Sequence, residues 1–356
     1  MDDFARALLA WFDHHGRHDL PWQHPRSAYR VWLSEVMLQQ TRVATVIPYF
    51  ERFVAALPDL AALASAPLDQ VLALWSGLGY YSRARNLHRC ARLCVEQHGG
   101  ELPRDAEALS ALPGIGRSTA AAILAQAHGE RHAILDGNVR RVLARWHGIH
   151  GWPGSTATQK RLWELTDQHT PATRTADYTQ AVMDLGATVC TRTKPRCAEC
   201  PVGDACIARR DGLVDALPTP KPARAIPQRE TTMLVIHDDA GHVLLERRPP
   251  TGVWASLWSL PECSGTADFE AELARRHARA GGTPARLPDL LHSFSHYRLR
   301  ITPIRLRATR AASRIADDDA LRWSTPAELA GIGLPAPVRK LLESLKESPT
   351  CAPCTA

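Results

Sequence analysis

A chain of 356 residues with 45% hydrophobic and 22% charged residues carries enough apolar material for two or three packed domains, which excludes a disordered or low-complexity protein. No apolar run approaches the roughly 18 residues a helical membrane span requires, so no contact with a membrane is expected. The net charge of +6, from 43 Lys and Arg against 37 Asp and Glu, permits a polyanionic partner without requiring one.

The N-terminal stretch "MDDFARALLAWFDHHGRHDLPW" opens acidic and lacks a long apolar core or a small-residue cleavage site. No export signal is expected, and a cytoplasmic location follows. Nine cysteines in that setting read as reduced thiols or metal ligands rather than disulfides. Residues 1–210 read as mostly helical, with apolar residues at helical spacing and short breaks rich in Pro and Gly.

Read as a helix, "VWLSEVMLQQT" (31–41) puts Val31, Trp32 and Leu38 three or four positions from Glu35. A lone acid in an amphipathic helix can sit on a solvated face. The alternative is a cleft whose apolar wall raises the carboxyl pKa and keeps a proton ready for general acid work. Gln39, Gln40 and Thr41 follow directly. In "LWSGLGYYSRARNL" (74–87), Tyr80 precedes Arg83 and Arg85, which reads either as a helix with solvated arginines or as cations facing phosphates.

"DAEALSALPGIGRSTAAAILAQAHG" (105–129) reads helix, turn, helix, with Gly114 and Gly116 allowing a tight turn and close backbone approach. The second helix points unpaired N–H groups outward, which suits a phosphate; an ordinary helix–helix turn explains the same residues. In "ILDGNVRRVLARW" (134–146), Asp136 reads as the cap of a helix starting near Asn138, or as a fixed anion near developing positive charge. Two carboxylates in unlike surroundings, Glu35 protonated and Asp136 ionised, suit glycosidic bond cleavage.

Cys190, Cys197, Cys200 and Cys206 follow the spacing C-x6-C-x2-C-x5-C in "CTRTKPRCAECPVGDAC". Four thiolates can wrap zinc or an iron–sulfur cluster, and spacing does not separate the two. No open coordination position remains, so the centre is structural, and Arg192, Lys194 and Arg196 in its loop suit phosphates. Cys90, Cys94 and Cys263 read as core or surface thiols, and the Cys351/Cys354 pair as incidental.

"ALPTPKPARAIPQRE" (216–230) reads as a linker. It divides a helical domain, 1–215, with the cysteine loop at 190–206, from an α+β domain at 231–345. There "TTMLVIHDDAGHVLLERR" reads strand, turn, strand. "FEAELARRHARAGG" reads as a short helix ended by Gly, and "HYRLRITPIRLRA" as a half-exposed strand. Residues 346–356 read as a disordered tail.

Taken together, "LPW" (20–22), "VWLSEVMLQQT", "LWSGLGYYSRARNL", "LPGIGRSTA" (112–120), "LDGNVRRVL" (135–143) and the four cysteines occur in one order over nearly the whole chain. The combination resembles the MutY family of adenine DNA glycosylases. The resemblance implies a mainly α helix-hairpin-helix glycosylase domain with a 4Fe-4S cluster loop and a C-terminal α+β Nudix-like domain. It implies a monomer that removes adenine opposite 8-oxoguanine, and opposite guanine, from duplex DNA in base excision repair, associated with the nucleoid. Glu35 matches the general acid that protonates adenine at N7. Asp136 matches the acid that stabilises or traps the sugar cation, and Asn138 a residue that positions the reacting groups. Gln40 and Tyr80 match residues that wedge into the base stack, with Gln39 and Thr41 beside them on the DNA. Gln180 matches a reader of the adenine edge, and Phe294-Ser295-His296 the loop that contacts 8-oxoguanine. A base must leave the duplex before its glycosidic bond is reached, and planar side chains can fill the gap.

One position separates relatives. Endonuclease III-type enzymes with lyase activity carry a Lys two positions past the second hairpin Gly, where it attacks the sugar as a Schiff-base amine. Ser118 stands there, so little strand nicking is expected. The glutamates at Glu270 and Glu272 do not form the cluster a working Nudix hydrolase needs, so no diphosphate hydrolysis is expected. "TGVWASLW" departs from the family's Gly-Gly with Ala255 and Ser256, which points to a differently tuned lesion affinity. Two other readings compete: a thymine or oxidised-pyrimidine glycosylase of the same superfamily, and a non-catalytic DNA-binding module. The sequence is silent on protein partners.

Overall fold

The computed structural model describes residues 1–222, 225–263, 268–310 and 319–347. The chain forms two compact units, one from Met1–Ser65 and Asn86–Ala223, the other from Ala66–Arg85 and Arg224–Ala356. The boundaries differ from those read in the sequence. Residues 66–85 count with the C-terminal unit, where Tyr81 Oη donates to the Leu334 carbonyl at 3.0 Å. Gly333 leaves room there for Leu72, whose Cβ would lie 3.0 Å from any added Cβ. The expected linker is structured at both described ends. Leu217 is buried and its carbonyl accepts from Arg145 Nε at 2.8 Å, while Gln228 already begins a strand. Cys351, Cys354 and most of the expected tail lie outside the described residues.

The helices in chain order are α1 (Asp3–His15), α2 (Ala28–Leu38), α3 (Val43–Ala56), α4 (Leu60–Ser65), α5 (Leu68–Leu74), α6 (Ser82–Gln97), α7 (Ala106–Ala111), α8 (Arg117–His128), α9 (Gly137–Trp146), α10 (Thr156–His169), α11 (Thr175–Asp184) and α12 (Ile207–Arg210). Asp2 caps α1 by accepting from Ala5 N at 2.8 Å, and Phe4, Leu8 and Phe12 recur on its inner face. They join Val142 and Leu143 of α9, Leu162 of α10 and Val182 of α11 in one core. Each such side chain contributes roughly 1.5–3 kcal/mol by leaving water. α2 packs along α8. None of the described helices is long and apolar enough to cross a membrane.

The hairpin between α7 and α8 needs glycine at one of its two positions. Gly114 has φ +79 and a Cβ there would sit 2.9 Å from Asn86 Cβ, so both conformation and space exclude a side chain. Gly116 has φ −96, serves as the cap position of α8, and faces open space.

The second unit is built on a sheet with strands β1 (Gln228–His237), β2 (Val243–Arg247), β3 (Trp258–Ser259), β4 (Glu262–Cys263), β5 (Ala278–Ala280), β6 (Ala285–Arg286), β7 (Leu290–Ser293), β8 (Arg298–Arg310) and β9 (Leu321–Ser324). β1 and β8 run parallel, in register from Gln228–Arg298 to His237–Arg307. Thr232 to Ile236 are all buried, as a central strand covered on both faces requires. The expected strand–turn–strand at 231–248 is present, with Asp238 Oδ1 accepting from Ala240 and His242 N–H groups. Helix α13 (Phe269–Arg275) covers the sheet through Leu273, and α14 (Ala336–Glu347) closes the described chain. α13 stops before the glycines expected to end it. Buried Arg276 is held by Glu246 and Glu272, His277 takes φ +56, and Ala278–Ala280 pair with the end of β8.

Candidate functional site

In the first unit, Glu35 sits on the third turn of α2 among buried Val31, Trp32 and Val36. Burial first and neighbouring Asp136 second push its carboxyl up to about 7, against the Gln126 amide, which donates at 3.2 Å and favours the ionised form. α2 ends at Leu38, so the expected helix does not continue through the amides. Gln39 and Gln40 are exposed in the turn beyond, Thr41 half-exposed, and Gln40 holds a left-handed φ of +59. A non-glycine residue there is strained by about 1 kcal/mol or more, a pattern concentrated at functional sites.

Asp136 caps α9, its Oδ1 accepting from Val139 N at 2.8 Å, while Oδ2 accepts from Asn138 Nδ2 at 3.0 Å. Cap and candidate anion are therefore one residue. Burial raises its carboxyl above the ordinary range, against the bonds from Val139 and Asn138 and the charge of Arg141. Asp136 and Glu35 are both half-buried, and Asp136 lies close enough to Glu35 to raise its pKa. Their hydrogen bonds still distinguish them. Asp136 has a backbone N–H, an amide and a nearby guanidinium, all of which favour its ionised form, whereas Glu35 has one amide. Ser118 Oγ accepts from Leu135 N at 2.9 Å and so holds the residue preceding Asp136.

Two residues of this pocket escaped the sequence reading. Gln126 is buried on α8, the one amide in an otherwise apolar run, and that isolation is its signal. Arg141 donates to Asn138 Oδ1 at 2.9 Å, to the Gly186 carbonyl at 2.6 Å and to the Cys190 carbonyl at 2.7 Å. Gly186 permits this closeness, since a Cβ there would stand 2.5 Å from Asn138 Cβ. Gln180 is buried on α11 and donates to Asp184 Oδ1 at 2.7 Å. Its Oε1 has no hydrogen-bond partner among the described residues. Asp184 is also held by the Arg17 guanidinium at 2.6 and 2.9 Å.

Cys190, Cys197, Cys200 and Cys206 line one cavity, with Arg145, Arg196 and Arg209 also in its lining. All four are free thiols. Among the described residues no three His, Cys, Asp or Glu converge at the distance of a single metal ion. Burial, and the proximity of the other three sulfurs, pushes Cys200 up to about 11. Four thiols that repel one another as thiolates around one cavity, with guanidinium groups beside them, fit a thiolate-held cluster.

In the second unit, Tyr80 is 48% exposed at φ +49. Arg83, expected on phosphates, is 8% exposed. It lies over the Trp75 and Tyr80 rings and donates to the Leu78 and Gly79 carbonyls, bracing the turn from beneath. Arg85, expected likewise, is half-buried and donates to the Ala255 carbonyl at 2.8 Å. Phe294, Ser295 and His296 form the tip between β7 and β8, closed by Phe294 N donating to the Tyr297 carbonyl. Ser295 and His296 are exposed, and Phe294 packs on Tyr297 and Trp254. Near α13, Arg276 occupies the space between Glu246 and Glu272.

Residues 33–168 match the family described as HhH-GPD superfamily base excision DNA repair protein, and residues 231–344 the NUDIX domain. The chain is 35% identical over 345 residues to the adenine DNA glycosylase of Buchnera aphidicola subsp. Acyrthosiphon pisum, covering 97% of this chain and 98% of that protein. It is 37% identical to the Mus musculus adenine DNA glycosylase, covering 97% and 78%. A thermostable thymine-DNA glycosylase is similar in structure, with a TM-score of 0.54 and 28% identity over 58% of this chain and 95% of that one. An endonuclease III–DNA complex shares the fold, with a TM-score of 0.50 and 21% identity over 59% and 95%.

Proposed function

Because the chain belongs to the adenine DNA glycosylases of the HhH-GPD superfamily, DNA N-glycosylases of base excision repair, we propose that it excises adenine opposite 8-oxoguanine, and opposite guanine, with Glu35 as general acid and Asp136 at the sugar. The observation that carries this reading is the pair of half-buried carboxyls, the Glu35 one pushed up to about 7 and the Asp136 one tied to a helix N-terminus. Adenine is a poor leaving group until protonated. Glu35 gives its proton to N7 of the extruded base, the C1′–N9 bond breaks, and its electron pair stays on the base. Positive charge builds on the sugar, where Asp136, kept in place by Val139 N–H and Asn138, stabilises it or bonds to C1′. Water then adds at C1′ and returns its proton to Glu35.

The unsatisfied Oε1 of Gln180 supports the choice of base. A buried acceptor without a partner costs about 1–3 kcal/mol, and an exocyclic amine such as that of adenine meets the need. The strained turns at Gln40 and Tyr80 support insertion into duplex DNA, and the exposed tip 294–296 supports contact with the opposite base. Cys190, Cys197, Cys200 and Cys206 would hold a 4Fe-4S cluster, which when bound supplies a closed, structural cross-link for its loop. Arg276 between Glu246 and Glu272 supports a Nudix-like unit that does not hydrolyse diphosphates, since a guanidinium stands where carboxylates would gather a cation.

Ser118 cannot form a Schiff base, and its oxygen is already engaged by Leu135 N–H. Single-turnover reactions on a duplex with adenine opposite 8-oxoguanine are expected to show strand breaks only after alkali. Breaks of equal intensity without alkali would show a lyase and refute this part of the reading.

A further inference from the structure

Among the described non-glycine residues of the second unit with left-handed backbone conformations, three fall in two turns: Tyr80 at φ +49, and Trp254 and Ser256 at +57 and +62. Each is strained by about 1 kcal/mol or more and persists only where surrounding bonds determine it. The Trp254–Ser256 turn is fixed by Ser256 N donating to the Pro249 carbonyl at 3.0 Å and Leu257 N to the Trp254 carbonyl at 3.1 Å. A third bond comes from far along the chain, Arg85 Nη1 to the fully buried Ala255 carbonyl at 2.8 Å. This turn sets the Trp254 ring against His292 and Phe294, with centroids 5.6 and 5.3 Å apart. Arg85 itself stands in the first turn of α6, its N–H bonded to the Tyr81 carbonyl immediately after Tyr80.

We propose that Arg85 is a positioning residue that locks the Tyr80 turn to the Trp254–Ser256 turn, so that the loop meeting the base opposite adenine and the side chain entering the stack are held as one piece. The proposal rests on the reading of 294–296 as the lesion contact and of Tyr80 as the wedge. Its consequence is specificity: contact of the tip with 8-oxoguanine is transmitted through Trp254, the Ala255 carbonyl and Arg85 to the insertion of Tyr80. Other bonds of the same unit, such as Ser76 Oγ accepting from Arg339 at 3.1 Å, hold residues 66–85 in place without touching either turn.

The test compares single-turnover rate constants for adenine opposite 8-oxoguanine and opposite guanine in wild type, Arg85→Met and Arg85→Lys. Met keeps the apolar stem and removes the donor; Lys keeps one donor. Arg85→Met is expected to lower the rate opposite 8-oxoguanine at least tenfold more than the rate opposite guanine, and Arg85→Lys to recover part of the ratio. Equal loss on both duplexes marks a merely structural role and overturns the proposal, as does an unchanged ratio. Should wild type itself not distinguish the two duplexes, the lesion-contact reading fails, and this proposal with it.

Discussion

Glu35→Gln is expected to release adenine about 10³-fold more slowly than wild type in single turnover, within the range a positioned general acid contributes. The same substitution is expected to make the protein more stable. Burial and Asp136 lift the Glu35 pKa from the ordinary 4.5 to about 7, so the folded protein holds this proton more tightly than the unfolded chain does. Stability therefore falls as pH rises from 4.5 through 7, and the full penalty is present above 7. Gln carries no charge and keeps an oxygen for the Gln126 amide. At pH 8 the variant is expected to exceed wild type by on the order of 2–3 kcal/mol in denaturant unfolding, and to match it near pH 4. Loss of activity with loss of stability would point to a structural carboxylate instead. An active site that is less stable for being functional is the pattern expected where chemistry places a titratable group in apolar surroundings.

Asp136→Asn is expected to lower the rate of adenine release by about 10²–10³-fold, the usual effect of removing one electrostatic partner from a developing charge. Asn caps a helix nearly as well as Asp, so α9 should persist and its Val139 N–H should keep an acceptor. Affinity for the lesion duplex should stay within a few-fold of wild type, because the substitution removes stabilisation of the transition state rather than of bound DNA. A rate within tenfold of wild type would remove Asp136 from the chemistry and leave it a capping residue.

The sequence revealed most where neighbours in the chain are also neighbours in space. Glu35 is legible because Val31 and Trp32 lie one helical turn away, and Asp136 because its cap partner is three residues on. The cysteines are legible for the same reason. What it hid depends on distant partners: Gln126 meets Glu35 across 91 residues, and Arg141 meets Cys190 across 49. The carbonyl partners of Arg83 and Arg85 were not legible, because a basic residue after an aromatic looks alike whether it faces phosphate or backs a turn. Only the fold shows their carbonyl partners. The end of α13 was misplaced because Arg276 is buried by two glutamates, one of them 30 residues earlier. Assignment of residues 66–85 to the C-terminal unit has no local signal at all; it follows from contacts of Leu72 and Tyr81 with residues beyond 330.

The pH dependence of single-turnover adenine release tests the role of Glu35 most directly. With saturating protein and a duplex carrying adenine opposite 8-oxoguanine, the wild-type rate is expected to fall about tenfold per pH unit above about 7, as the acid loses its proton. A rate that stays level or rises from pH 6 to 9 would contradict a general acid at Glu35.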